Sequence, residues 1–117
     1  MTPRRNPPAL TQEKAGTIRT KPDKNGALPS RSVRAISRVL ADPRRFQILK
    51  RIAAQPCTAC SDLRTGFPIT AATLSHHLKE LEAAGLIRIT RRGKFADIAF
   101  QRPVWDAYLA ELRNVGN

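Results

Sequence analysis

The chain has 117 residues, of which 41% are hydrophobic, and a formal net charge of +12. This length allows one compact domain with a small core, to which dimerisation would add buried surface, and the charge indicates a polyanionic partner such as nucleic acid or an anionic membrane surface. No stretch approaches the roughly 20 consecutive apolar residues of a membrane span, and the first ten residues lack a signal-peptide core, so we expect a cytoplasmic protein without a membrane partner.

Residues 1–29 differ in composition from the rest of the chain. They hold five of the nine prolines, carry six basic residues against two acidic ones, and show no apolar periodicity. A segment of this kind cannot bury enough apolar surface to fold by itself. We predict a disordered basic N-terminal tail over residues 1–29 and one folded domain over residues 30–117.

Apolar residues at three- and four-residue steps predict four helices in the first part of the domain. Asp42 is placed to cap the second helix and Thr70 the fourth, whereas Gly85 ends the fourth. The predicted helices span residues 32–41, 43–55, 58–65 and 71–84.

A hairpin and a fifth helix complete the predicted domain. Residues 86–90 and 95–100 have strand composition, and the basic, Gly-containing segment 91–94 predicts the turn between them. Pro103 then opens a last helix with one apolar side. The order ααααββα describes a mainly α fold with a small β-hairpin (α+β), which is the plan of a winged helix-turn-helix.

In that plan the second helix of the helix-turn-helix unit enters the major groove of DNA. The fourth predicted helix buries Leu74, Leu78 and Leu81, and its other side carries small residues, hydroxyls and hydrogen-bond donors that suit base edges and phosphates. A solvated helix face would show the same pattern, but the adjacent hairpin argues against it. We assign DNA contact to Thr70, Ala72, Thr73, Ser75, His76 and Lys79, with base contact by Thr73, Ser75 and His76.

The predicted hairpin turn is basic. Arg91, Arg92 and Lys94 stand on it, and nothing local in the sequence neutralises them. Cations in this arrangement suit phosphate or minor-groove contact, although a bland, solvated hairpin tip is the alternative. We therefore add these three residues to the predicted DNA-binding set.

Two segments resemble the ArsR/SmtB family of bacterial repressors: LADPRRFQIL at residues 40–49 and LSHHLKELEAAGLI at residues 74–87. The resemblance extends over residues 32 to about 113. It implies a homodimer packed through the first and last helices, and a repressor of an inverted-repeat operator. The apolar residues that would pack there are Val33, Ile36, Val39, Leu40, Trp105, Tyr108, Leu109 and Leu112.

Cys57 and Cys60 bracket the start of the third predicted helix, where free amides can stabilise a thiolate. Relatives sense arsenite through a Cys-x-Cys-Asp-Leu motif in this helix, but the run CTACSDL here departs from that spacing and lacks a third thiol. The two cysteines are candidate sensors, either by thiol oxidation or by binding a thiophilic ligand such as an arsenical. Small apolar packing residues are the alternative. We expect no other cofactor.

Metal and enzyme sites are not indicated. The last helix offers Asp106 and Glu111 without a histidine, and the adjacent His76 and His77 point about 100° apart on a helix, so they cannot share one ion. No nucleophile elbow, phosphate loop or His-Glu-x-x-His run is present, so we predict no enzyme. The alternatives are a winged-helix repressor without cysteine sensing, and a winged-helix module that binds protein or RNA.

Overall fold

The computed structural model describes residues 26–116, and within them the chain forms five helices and three strands. The predicted fold class is confirmed: the domain is mainly α with a small antiparallel sheet. In chain order the elements are α1 (Ser30–Leu40), α2 (Pro43–Ala53), β1 (Thr58–Ala59), α3 (Cys60–Gly66), α4 (Ala71–Ala83), β2 (Ile87–Arg92), β3 (Phe95–Phe100) and α5 (Arg102–Asn114).

The helix ends follow the signals in the sequence. The Asp42 carboxylate accepts from the Arg44 backbone N–H at 2.8 Å, and the Thr70 hydroxyl accepts from the Thr73 N–H at 3.1 Å. Each bond satisfies an amide that the first turn of a helix leaves free. Gly85 adopts φ +84°, the left-handed conformation that stops α4. All three predicted capping residues are confirmed.

The sheet contains one strand that the sequence analysis missed. Its order is β1-β3-β2, and β1 pairs with β3 through Thr58↔Ile98 and Ala59↔Asp97. A two-residue strand has no readable alternation of apolar and polar positions, and it exists only because β3 offers a free edge. The prediction that the third helix begins near Thr58 was therefore wrong by two residues, and α3 begins at Cys60.

The wing is the β2–β3 hairpin, and its turn is shorter than predicted. Pairing continues from Ile87↔Phe100 to Arg92↔Phe95, which leaves only Gly93 and Lys94 in the turn. Gly93 has φ +62°, as tight hairpin turns require. Arg91 and Arg92, predicted to lie in the turn, are instead the last two residues of β2.

One core joins the helices to the sheet. Its fully buried side chains come from every helix except α5 and from β3 and the α4–β2 connection: Ile36, Ile48, Ile52, Leu63, Leu74, Leu81, Leu86 and Ile98. Phe46 of α2 is 39% exposed and lies outside this core. Because these side chains hold α4 and the wing on one frame, the core positions the two parts predicted to meet DNA.

The predicted tail falls mostly outside the described residues, which begin at residue 26. Leu28, on the tail side of the predicted boundary, is buried in the core. The boundary at residue 30 stays a prediction, and the packed chain extends at least two residues before it. Within residues 26–116 no helix is long and apolar enough to cross a membrane.

Candidate nucleic-acid interface

The two sides of α4 have opposite environments. Leu74, Leu78 and Leu81 are at most 4% exposed and pack in the core. The predicted contact residues all lie on the solvent side or at the first turn: Thr70, Ala72, Thr73, Ser75, His76 and Lys79 are each exposed. The helix therefore presents two hydroxyl-bearing residues, an imidazole and an ammonium group around a small residue, with a leucine row behind them. Their contact with DNA stays a prediction.

The adjacent histidines of α4 separate in the way the helical turn requires. His76 is exposed, whereas His77 is buried and its Nδ1 accepts a hydrogen bond from Arg45 Nε at 3.3 Å. Burial lowers the pKa of His77, and the nearby Asp42 carboxylate acts in the opposite direction. Arg45 also lies 3.9 Å from that carboxylate. These contacts fasten α4 to the beginning of α2.

The two faces of the wing carry different charge. Side chains alternate along a strand, so Ile89 and Arg91 point to one face and Arg92 to the other. Arg92 forms an ion pair with Asp97 at 2.5 Å. The expectation that nothing local neutralises the three cations was therefore wrong for Arg92. Asp97 lies five residues further along the chain, and only the hairpin register brings it there.

Arg91 and Lys94 remain without an ion pair among the residues that the structure describes. Both are exposed, and the Lys94 ammonium lies 5.9 Å from the centroid of the Phe95 ring. The wing thus keeps two free cations near its tip, and one of them, Arg91, lies on the face that turns toward α4.

A cavity of about 220 Å³ separates α4 from the wing; we call it the α4–wing cleft. Its floor is apolar, formed in part by Leu78 and Ile98. Arg64 of α3 lines this cleft together with Lys79 and Arg91, although the sequence analysis did not assign it to the interface. Arg64 is exposed, and its position along α3 does not show from the sequence which other elements lie near it. Cys60 and Ser75 also line the cleft.

The two cysteines are free and lie in different surroundings. Cys57 is exposed before β1, whereas Cys60 is half-buried and is the first residue of α3. The two extended residues of β1 separate them, and Ala59 has φ −73° and ψ 139°. At the advance of a β-strand, their Cα atoms would lie about 10 Å apart, beyond the roughly 7 Å that a disulfide can bridge. Their role as sensors stays a prediction.

The predicted dimerisation residues divide into two groups. Ile36, Val39 and Tyr108 are at most 6% exposed in a single protomer, so they belong to its own core. Tyr108 also joins α5 to α1 through a 2.9 Å hydrogen bond between its hydroxyl and that of Ser37. An apolar stripe on a helix does not show whether it packs against its own chain or against a second chain. Five residues retain surface that a second chain could cover: Val33, Leu40, Trp105, Leu109 and Leu112.

Among the described residues no group of three or more His, Cys, Asp and Glu side chains is placed to hold a metal ion. The absence of a metal site in the whole chain stays a prediction.

The comparisons with known proteins agree with this geometry. A family model described as a helix-turn-helix domain matches residues 40–90, from the end of α1 into β2. No curated protein matches the chain. An ArsR-like transcriptional regulator from Rhodococcus sp. RHA1 superposes with a TM-score of 0.65 at 21% identity, over 73% of this chain and 79% of that one. At 21% identity this similarity supports the fold alone.

Two other solved structures are more similar in sequence. An ArsR family transcriptional regulator has a TM-score of 0.63 and 27% identity, over 76% of this chain and 94% of its own. The homodimeric winged helix-turn-helix DNA-binding domain of Mb0332 from Mycobacterium bovis, a possible ArsR-family regulator, has a TM-score of 0.58 and 26% identity, over 73% and 78%. The first is described as a transcriptional regulator and the second as a possible one. The chain therefore contains a helix-turn-helix domain, and its winged fold is similar to that of ArsR-type transcriptional regulators.

Proposed function

We propose that the chain is a DNA-binding transcriptional repressor that acts in the cytoplasm as a homodimer on an inverted-repeat operator. The observation that carries this proposal is the exposed polar side of α4, backed by the buried row of Leu74, Leu78 and Leu81. A rigid helix with short polar side chains fits the major groove and can donate to and accept from base edges.

Base reading and phosphate binding fall to different residues. Thr73, Ser75 and His76 project from the first half of α4 and are proposed to contact bases. Lys79 and the free wing cations Arg91 and Lys94 are proposed to neutralise phosphates. Each neutralised phosphate contributes about −0.9 to the slope of log K against log salt, so binding should depend steeply on salt.

The proposed dimer uses the outer surfaces of α1 and α5. Trp105 and Leu109 are half-buried and Leu112 is 46% exposed, which leaves apolar surface on α5 for a second copy. A domain of this size gains stability from such burial. The Mb0332 domain is homodimeric, which supports a dimer of this chain. Two α4 helices related by a two-fold axis would enter major grooves roughly 34 Å apart, so the operator would be an inverted repeat.

Selection of duplexes from a random-sequence pool by the purified full chain, followed by footprinting, tests DNA recognition. We expect enrichment of an inverted repeat and protection of both half-sites. Repression is tested by transcription in vitro from a promoter that overlaps the selected repeat, with an otherwise identical promoter lacking the repeat as control. A chain that shows no preference for any duplex over random competitor would overturn the proposal in favour of a protein- or RNA-binding module.

We further propose that Cys57 and Cys60 control release from DNA, with thiol oxidation ranked before a thiophilic ligand such as an arsenical. Cys60 lines the α4–wing cleft, so a change at its sulfur acts between the two parts proposed to bind DNA. A disulfide of a low-molecular-weight thiol would accept two electrons and two protons from the two cysteines, forming a Cys57–Cys60 bond and releasing two small thiols. Because extended β1 holds the two Cα atoms too far apart, this bond requires β1 to leave β3.

The control is tested by measuring release of the selected duplex with reduced, oxidised and arsenical-treated protein, in parallel with Cys57→Ser and Cys60→Ser variants. We expect only the oxidised parent protein to release the duplex, and we expect both variants to remain bound to it. Amide exchange at Thr58 and Ile98 should accelerate on oxidation, because their strands separate. Equal release under all conditions would leave a winged-helix repressor without cysteine sensing.

A further inference from the structure

We propose that the α4–wing cleft holds a single backbone phosphate of the duplex, bound jointly by Arg64, Lys79 and Arg91. This inference rests on the proposed DNA binding and adds a contact residue, Arg64, to it. The three side chains come from three different elements, α3, α4 and β2, and line one cavity.

The charge around the cleft favours an anion. Three cationic side chains line it and no carboxylate does. None of the three forms an ion pair within residues 26–116. Like charges around one small cavity repel each other, and an anion between them converts that repulsion into attraction.

The other face of the wing provides a comparison. There Arg92 is already neutralised by Asp97, which is three-quarters buried as a side chain. A neutralised arginine has little to offer a phosphate. Near the tip of β2, Arg91 on the face toward α4 is therefore the arginine that keeps its charge free among the described residues, whereas Arg92 on the other face does not.

The size and position of the cleft select the anion. Its volume of about 220 Å³ is below the roughly 300 Å³ at which ligand pockets usually begin, so a compact group fits better than an extended molecule. When a helix lies in the major groove and the adjacent wing reaches the minor groove, the sugar-phosphate strand that separates the two grooves must pass between them. This strand would run over the α4–wing cleft and place a phosphate against its three cations.

The experiment uses full-length protein and the duplex it selects, with binding measured by fluorescence anisotropy over a range of salt concentrations. The variants are Arg64→Gln and Arg91→Gln. Arg88→Gln is the matched control, because Arg88 is exposed on the same strand as Arg91 but on the opposite face. We expect Arg64→Gln to weaken binding about tenfold and to reduce the salt slope by about 1 per subunit, whereas Arg88→Gln has a much smaller effect.

Neutral methylphosphonate linkages then locate the phosphate. They are introduced one symmetric pair at a time, because the proposed dimer meets each half-site once. At one position the substitution should weaken the parent protein at least as much as Arg64→Gln does, and there neither Arg64→Gln nor Arg91→Gln should weaken binding further. At every other position the two variants should keep their full effect.

Two results would overturn the inference while leaving DNA binding intact: Arg64→Gln behaves like Arg88→Gln, or Arg64 and Arg91 respond to different linkages. Failure of the parent to prefer its selected duplex would instead remove the proposed function itself.

Discussion

The recognition helix α4 and the wing are both polar, exposed and proposed to meet DNA, yet their geometry has different origins. Local signals define α4: a threonine cap, three leucines at helical spacing and a glycine at its end. The wing depends on register, because pairing of β2 with β3 decides which arginine is neutralised by Asp97 and which faces the cleft. Substitutions of the leucines and the proposed base-contacting residues of α4 should therefore act through packing or base choice, and substitutions of the wing arginines through charge.

The largest effect should come from the buried side of α4. Leu78→Ala removes a side chain that is 4% exposed and should lower the free energy of unfolding by about 2 to 5 kcal/mol, because a cavity is left in the core. Urea unfolding measures this change. Ser75→Ala, one turn earlier on the exposed side, is the control and should change stability by less than about 0.5 kcal/mol. Equal losses in both variants would contradict the two-sided description of α4.

The next effect separates base reading from phosphate binding. His76→Ala should reduce the preference for the selected duplex over a half-site mutant by about 1 to 3 kcal/mol and leave the salt slope unchanged. Arg91→Gln should weaken binding to both duplexes equally and flatten the salt slope by about 1 per subunit. Competition binding over a range of salt concentrations measures both quantities. Sequence-blind losses in both variants would contradict the division of roles.

A smaller gain should follow from freeing the neutralised wing arginine. Asp97→Asn keeps the shape of the side chain but removes the negative charge beside Arg92. We expect binding to random duplex to strengthen several-fold and the salt slope to steepen by about 1 per subunit. Asp62→Asn, an exposed change on α3, controls for the altered net charge. Identical behaviour of the two variants would show that Asp97 does not weaken the contact of Arg92 with DNA.

The smallest effect concerns pH and the contact between α4 and α2. The pKa of His77 in the folded protein is lowered from its ordinary value of 6.5, mainly by burial. The unfolded chain therefore takes up a proton first as the pH falls, and stability present above pH 6.5 is lost as the pH drops toward the folded pKa. Each unit of lowering corresponds to about 1.4 kcal/mol at most.

Urea unfolding at pH 7.5 and pH 5.5 measures this loss. His77→Gln retains an acceptor for Arg45 without titrating, so it should lose less stability between the two pH values than the parent. The contribution of Asp42, whose pKa is lowered chiefly by the Arg44 backbone N–H, is lost only below its ordinary value of 3.8 and stays outside this window. A parent and variant with the same pH dependence would exclude His77 as the group responsible.

Local sequence was enough to predict the five helices, the hairpin and the exposed residues of α4. Helical hydrogen bonds join residues four apart, and the apolar periodicity and the capping residues lie within the same short span. The residues of each segment are therefore enough to indicate where its helix forms. The assignment of His76 to solvent and His77 toward the core follows from the same 100° step.

Four features depended on contacts between distant segments. Strand β1 forms only against the edge of β3, the Arg92–Asp97 ion pair requires the hairpin register, and Arg64 reaches the α4–wing cleft only because α3 packs beside both elements. The fourth is the burial of Ile36, Val39 and Tyr108 within one protomer. Pairing and packing across the chain are set by the partner segment and not by the residues next to it, so no local pattern in these segments could reveal them.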